Sequence, residues 1–370
     1  MNRATFAEID LSAISHNIGE IREIIPKKTK IMTVVKANAY GHGAVEVSKA
    51  AISSGIDYLS VATVSEALEL REAGISAPIL VLSEAPIDAA KEIISASLTQ
   101  TVYSIGLAKA LSAEASMQEK TAKVHIKVDT GMGRIGVSAD EAVPLIREIN
   151  KLDNLFIEGI FTHFAKADDL SDDYTKRQLL EFKKVIEEVE SNGFKIPLKH
   201  AANSAATLYF PESHLDMIRI GLAMYGLYPP FTNDRPLDLR PALAFKTGVV
   251  YKKRVREGTA LSYGCTYVTD KETTIVTLPV GYADGLPRSL SNRGRVLIHG
   301  RRYPIVGAVC MDLTLVDAGD DQIEIGDEVV MIGRQGKEEI SADEVAELEG
   351  TISYEVICGI GKRVPRIYKK

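Results

Sequence analysis

The chain has 370 residues, 45% of them hydrophobic and 25% charged, with a formal net charge of -6. That length supports a sizeable core and two domains, and the acidic balance gives no sign of nucleic-acid binding. No run approaches the roughly 20 apolar residues of a membrane span, and the N-terminus has no apolar stretch of the secretory kind. Three scattered cysteines, Cys265, Cys310 and Cys358, fit a reduced cytoplasmic compartment rather than a disulfide framework. With no C-x-x-C and no H-E-x-x-H spacing, no protein-built metal site is expected.

Residues 11–25 predict a helix, because Leu11, Ile14, Ile18, Ile21 and Ile25 recur at helical spacing. Asp10 or Ser12 can cap it and Pro26 stops it. Short β-branched runs then follow at 31–35, 58–62, 79–82, 98–103, 123–128, 157–161, 198–200 and 217–220. Helical stretches lie between them at 65–73, 88–96, 139–152 and 172–191. Eight strands alternating with helices over about 230 residues predict a (β/α)8 TIM barrel over 1–235. The alternative, an open doubly wound sheet, lacks a G-x-G-x-x-G in its first unit. Prolines and charges at 228–241 read as a linker. Beyond it, short strands at 274–278, 295–299, 303–309, 314–317 and 328–332 predict a β-strand domain over 236–370, with one helix opening at Ser341-Ala-Asp-Glu. Cys265 and Cys310 read as small buried hydrophobes, and the basic tail 361–370 as a solvated end.

A TIM barrel carries its chemistry at the C-terminal ends of its strands. The polar residues there are Lys36 with Tyr40, the run Asp129-Thr-Gly-Met-Gly-Arg134-Ile-Gly136, Thr162-His163, His200-Ala-Ala-Asn203-Ser204 and Arg219-Ile-Gly221. A lysine closing a buried strand is a candidate for Schiff-base chemistry. Gly131, Gly133 and Gly136 let backbone approach a ligand, and Ser204 with the Gly221 region lies where this fold binds phosphate. A Schiff-base lysine beside a phosphate cradle points to pyridoxal 5′-phosphate.

With Val35-Lys36-Ala-Asn-Ala-Tyr40-Gly-His-Gly43, Lys127-Val-Asp-Thr-Gly-Met-Gly-Arg134, Leu261-Ser-Tyr263-Gly, Gly281-Tyr282-Ala-Asp-Gly285, Cys310-Met311-Asp312 and Ser353-Tyr354-Glu355 also present in order, the chain resembles the alanine racemases. These are barrel-type (fold type III) pyridoxal-phosphate enzymes. The resemblance implies interconversion of L- and D-alanine, the supply of D-alanine for peptidoglycan. Lys36 carries the cofactor. Tyr40, Ser204, Tyr354 and the backbone at Gly221 and Leu222 hold its phosphate, Arg219 faces its ring nitrogen, and His163 and Asn203 belong to the same cofactor-binding set. Lys36 and Tyr263 are the two bases, for D- and L-alanine, and His163 bridges Tyr263 to Arg219. Arg134 and Met311 bind substrate, Lys127 is a candidate for carbamylation, and Tyr282 and Tyr354 narrow the entrance. A homodimer sharing its active sites is also implied. Competing readings are a racemase of serine or broader specificity, a barrel-type decarboxylase of basic amino acids, and a non-catalytic carrier of the cofactor. The decarboxylase would need an acidic group for the distal amine, and the carrier has no use for Tyr263.

Overall fold

The computed structural model describes residues 3–229 and 234–370. Two compact units form: one from residues 13–39 and 44–240, the other from the chain through Ser12, residues 40–43 and everything from Pro241 onward.

In the first unit, among the described residues, eight strands form one parallel sheet. After β1 (Phe6–Asp10), which belongs to the other unit, come β2 (Lys30–Val34), β3 (Tyr58–Val61), β4 (Ile79–Val81), β5 (Thr99–Val102), β6 (Ala122–Lys127), β7 (Leu155–Phe161), β8 (Leu198–His200) and β9 (Met217–Ile220). Their spatial order is β8-β7-β6-β5-β4-β3-β2-β9. The remaining seam, between β8 and β9, is bridged where Asp216 N–H donates to Lys199 O at 3.1 Å and Arg219 N–H to Ala202 O at 3.0 Å. The result is a nearly closed barrel. These strands read as β-branched runs because helices cover the outside and side chains fill the inside, so both faces are buried. Met32, Tyr58, Leu80, Leu198 and Met217, from five different strands, form one buried cluster.

Helices separate the strands and start where the sequence offers caps. Asp10 Oδ1 accepts the Ser12 N–H at 2.9 Å ahead of helix Leu11–Ile24. Thr63 and Glu66 close a capping box on helix Val64–Glu72. Ser104 caps helix Ile105–Met117, in a stretch with no diagnostic residues.

The second unit is mainly β. Its strands are β10 (Leu243–Gly248), β11 (Tyr251–Val255), β12 (Ala260–Leu261), β13 (Tyr267–Val268), β14 (Thr273–Leu278), β15 (Arg295–Ile298), β16 (Arg301–Pro304), β17 (Thr314–Gly319), β18 (Glu328–Gln335), β19 (Glu338–Ile340) and β20 (Arg366–Lys369). One sheet runs β16-β15-β18-β10-β1-β20 with β19 on β18, another β11-β14-β17, and β12 pairs with β13. Ser341 caps helix Ala342–Glu349 by accepting the Glu344 N–H at 3.0 Å.

Three expectations change. The first ten residues, expected in the barrel, supply β1, which lies antiparallel to β10 and parallel to β20. Ala7 and Ile9 are fully buried there, an alternation too short to stand out in sequence. The tail is no solvated end: β20 is paired, Val364 is buried, and Arg366 donates to the carbonyls of Gly41, Ile360, Gly361 and Val364. Cys265 is exposed rather than buried, held outward in a turn with φ +50°. The predicted linker includes residues 230–233, which lie outside the described residues. Its far end is fixed by Asn17, which accepts the Arg240 N–H at 2.8 Å and donates to Arg240 O at 2.9 Å.

Candidate active site

Lys36 closes β2 and opens a left-handed helical turn. Ala37, Asn38, Ala39 and Tyr40 all have φ between +51° and +54°. Four successive non-glycine residues in that region cost roughly 1–2 kcal/mol each, so something must hold them. Ala39 N–H donates to Val35 O at 2.8 Å, Ala44 N–H to Asn38 Oδ1 at 2.9 Å, and Ala37 N–H to Glu66 Oε1 at 2.7 Å. The other Glu66 oxygen accepts from Ala62 and Thr63 N–H. One carboxylate thus clamps the loops after two neighbouring strands, with Lys36 between a rigid strand and a strained turn.

Arg219, on β9, is buried with its terminal nitrogens engaged. Nη1 donates to His200 Nδ1 at 3.0 Å, and Nη2 lies 2.8 Å from Ala201 O, 2.9 Å from Thr162 O and 3.2 Å from His163 Nδ1. Its Nε–H makes no hydrogen bond to the described residues. Burial lowers the guanidinium to about 9, still protonated at neutral pH. His163 is held well below its ordinary value, first by burial and then by Arg219, Arg134, Lys127 and Lys36. These four basic groups, from the ends of β2, β6 and β9 and the loop after β6, lie near enough to this imidazole to disfavour its protonation. Lys127 is lowered to about 7, chiefly by burial, with Arg219 adding to the effect, and its Nζ donates to Val128 O at 2.8 Å. Asp129 folds back on its own loop, accepting from Gly131 and Met132 N–H. Gly136, at φ +115°, lies against Lys127, where a Cβ would meet Lys127 Cγ at 3.0 Å. Arg134 is exposed on this loop.

Ser204 Oγ accepts from Gly221 N–H at 3.0 Å and Ala223 N–H at 3.3 Å. A hydroxyl has two lone pairs and one hydrogen, so both acceptor positions are filled and the O–H remains a donor. Asn203 caps helix Ser204–Tyr209 by accepting the Ala206 N–H at 2.9 Å. Its observed work is positioning Ser204. Leu222 is buried in the short turn that follows Gly221.

In the β unit, Tyr40 and Tyr354 lie with ring centroids 6.0 Å apart. Burial, reinforced by Tyr354 and Cys358, raises the Tyr40 phenol, which stays protonated. Tyr263 sits on an exposed turn that Ser262 Oγ ties to Ala308 O at 2.7 Å. Tyr282 and Met311 lie on loops joined by Tyr282 N–H to Cys310 O at 3.0 Å and Ala283 N–H to Met311 O at 3.1 Å. Gly281 permits this approach, since a Cβ there would strike Cys310 O.

Two contributors escaped the reading of the linear sequence, Glu66 and Ala223. Glu66 had a legible signal in Thr63-x-x-Glu66. Ala223 acts through its backbone N–H in a turn, where nothing in the local pattern marks it.

The N-terminal domain model of alanine racemase matches residues 9–229 and the C-terminal domain model residues 242–368. An alanine racemase from Symbiobacterium thermophilum is 49% identical over 99% of this chain and 97% of its own. One from Halothermothrix orenii is 48% identical over 100% and 98%. The solved alanine racemase of Clostridium difficile 630 superposes with a TM-score of 0.96 at 41% identity, covering 100% of this chain and 96% of that one. Motifs, barrel and β domain agree with these matches along nearly the whole length, and the chain belongs to the alanine racemase family, pyridoxal-phosphate enzymes that interconvert L- and D-alanine.

Proposed function

We propose that the barrel holds pyridoxal 5′-phosphate on Lys36 and that alanine is racemised between two bases, Lys36 and a Tyr263 contributed by a second copy of the chain. The observation that carries this reading is Arg219, a buried cation tied to four barrel groups with its Nε–H left over. The chain's residues fit the group: a lysine at a strand end, the spare Ser204 O–H, and a guanidinium with a donor in hand.

When bound, the cofactor supplies an electron-withdrawing ring conjugated to the substrate, which makes the Cα proton removable. Arg219 can only donate, so a ring nitrogen facing its spare Nε–H would be held unprotonated and the electron demand of the site kept modest. Ser204 would offer its O–H to the phosphate, beside the Gly221 and Leu222 backbone, and the resemblance assigns Tyr40 and Tyr354 to the same anion. Lys36 Nζ takes the proton from one face and Tyr263 Oη from the other. His163 accepts from Arg219 at Nδ1, so its proton sits on Nε2, free to donate to the Tyr263 oxygen and favour the phenolate. Arg134 and Met311 orient the substrate carboxylate. Tyr263 is 75% exposed and Met311 52% exposed on a single chain, which supports their service to a second copy. Lys127, brought to about 7 and so about half uncharged at neutrality, is suited to take up CO2 as a carbamate beside Arg134.

Borohydride reduction of the cofactor-loaded protein followed by peptide mapping is expected to label Lys36. Tyr263→Phe keeps that label and loses racemisation by about 100-fold or more, the usual weight of a general base. A label on another lysine, or full L-alanine turnover by Tyr263→Phe, refutes the reading.

A further inference from the structure

Arg219 is a buried cation with no carboxylate within ion-pair distance among the described residues. The geometry points to a one-way chain of hydrogen-bond donors, Arg219 to His200 to His125 to Glu158, that runs down the barrel interior and makes His125 and Glu158 positioning residues for Arg219. Its functional consequence rests on the role proposed for Arg219, but its direction does not.

The direction follows from what each group can do. A guanidinium never accepts, so His200 Nδ1, 3.0 Å from Arg219 Nη1, is the acceptor and carries no proton. A neutral His200 then has its proton on Nε2, which lies 2.9 Å from His125 Nδ1. That makes His125 Nδ1 an acceptor as well and puts its proton on Nε2, 3.3 Å from Glu158 Oε2. Every contact is satisfied with two neutral imidazoles and an ionised carboxylate. A second proton on either ring would set N–H against N–H at its Nδ1.

Other observations agree. Glu158 receives Lys123 Nζ at 2.8 Å and Thr99 Oγ1 at 3.4 Å, so the chain ends on a well-partnered anion. Burial raises the Glu158 carboxyl, but His125 and Lys123 outweigh it and bring it to about 2. Burial is likewise the first cause that keeps His200 and His125 below the ordinary histidine range. Arg219 and Lys127 add to it at His200, and at His125 Glu158 pulls the other way against Arg219 and Lys123. Tyr58, the remaining titratable group here, lies with its ring 6.5 Å from His125 and is raised by burial and Glu158, so it stays neutral.

The backbone is also built for the His125 ring. A Cβ on Gly159, its register partner on β7, would lie 2.6 Å from His125 Nδ1. Gly159 has no left-handed φ to explain it, so this glycine is there for room. The β6–β7 register shifts between Val124 and His125. Phe161 stacks on His200 with centroids 4.7 Å apart and planes 5° from parallel, and lies 5.4 Å from the Arg219 guanidinium carbon. The chain's anion thus sits toward the N-terminal ends of the strands, where it balances Arg219 without occupying the side on which Lys36 lies. A carboxylate placed directly on Arg219 would compete for its donors.

The test is 15N-histidine NMR of the full-length protein, cofactor-free and loaded, with His125→Asn and His200→Asn spectra used for assignment. Both rings are expected to show a protonated Nε2 and an unprotonated Nδ1 from pH 5.5 to 8.5, with or without cofactor. A protonated Nδ1 on either ring overturns the direction. In Glu158→Gln, which keeps an acceptor oxygen but removes the charge, the His200 and His125 signals shift and kcat for alanine falls roughly tenfold at nearly constant KM, as when an outer carboxylate is lost. Unchanged signals and unchanged kcat overturn the role of Glu158. Failure of Lys36 labelling would strike the cofactor reading and leave the tautomers standing, so the two outcomes are separable.

Discussion

Glu66 never faces the chemistry, yet removing it should be felt at Lys36. Its carboxylate accepts three backbone N–H groups, Ala37 at 2.7 Å, Ala62 at 2.7 Å and Thr63 at 3.2 Å. A capping residue contributes about 1 kcal/mol, and a hydrogen bond to a charged group about 1.5–3 kcal/mol when buried. Glu66 is half-buried, so water replaces part of this, and Glu66→Ala should cost about 2 kcal/mol. Glu66→Gln keeps one accepting oxygen and should cost roughly half as much. The loss falls on a turn that stores about 4–8 kcal/mol in four left-handed residues, so the segment after Lys36 loosens first. Urea unfolding at fixed protein concentration reads the stability, and the rate of reductive labelling reads Lys36. Ala37→Gly is the counter-test. Ala37 is exposed, so no packing is lost, and removing about 1–2 kcal/mol of strain against about 0.5–1 kcal/mol of added chain freedom should stabilise the protein slightly. A Glu66→Ala protein within about 0.5 kcal/mol of the parent, with unaltered labelling, would refute the clamp.

Lys127 has a folded value near 7 against about 10.4 unfolded, so the unfolded chain holds the extra proton between those limits. The sign is that the ammonium penalty is full below pH 7 and is relieved as pH rises to about 10. Lys127→Met should remove up to about 1.4 kcal/mol per pH unit of slope in that window, checked by urea melts at several pH values. In bicarbonate buffer, native mass spectrometry of the intact protein should find one added CO2 per chain, absent from Lys127→Met. Gly159→Ala forces a methyl against His125 and should cost about 1–3 kcal/mol, read by thermal unfolding, and a neutral result would mean the ring has room to move. Diluting the enzyme through its dissociation range should lower specific activity in step with dimer content measured by sedimentation, and full activity in the monomer would remove Tyr263 from a shared site.

The barrel and the strand-end residues are legible in the linear chain for one reason: parallel strands buried on both faces are written as apolar β-branched runs, and a TIM barrel puts whatever ends those runs on one rim. Lys36, Arg134, His163, Ser204 and Arg219 each close or follow such a run, so order alone brings them together. What order alone does not carry is pairing over long separations. Ala7 meets Phe245 and Arg366, so the first and last strands are defined by partners that local periodicity cannot name. The left-handed turn after Lys36 is spelled with alanines and an asparagine rather than glycine, because Glu66 and Asn38 hold it from outside its own propensity. His125 and Glu158 look like ordinary strand residues, and Cys265 like a core one. Only the folded sheet, with β6 and β8 on either side of β7, sets the two histidines end to end, and only a turn in which Cys265 itself takes φ +50° leaves the cysteine in water. Local chemistry specifies the elements and their ends, whereas the polar interior depends on which strands the closure makes neighbours.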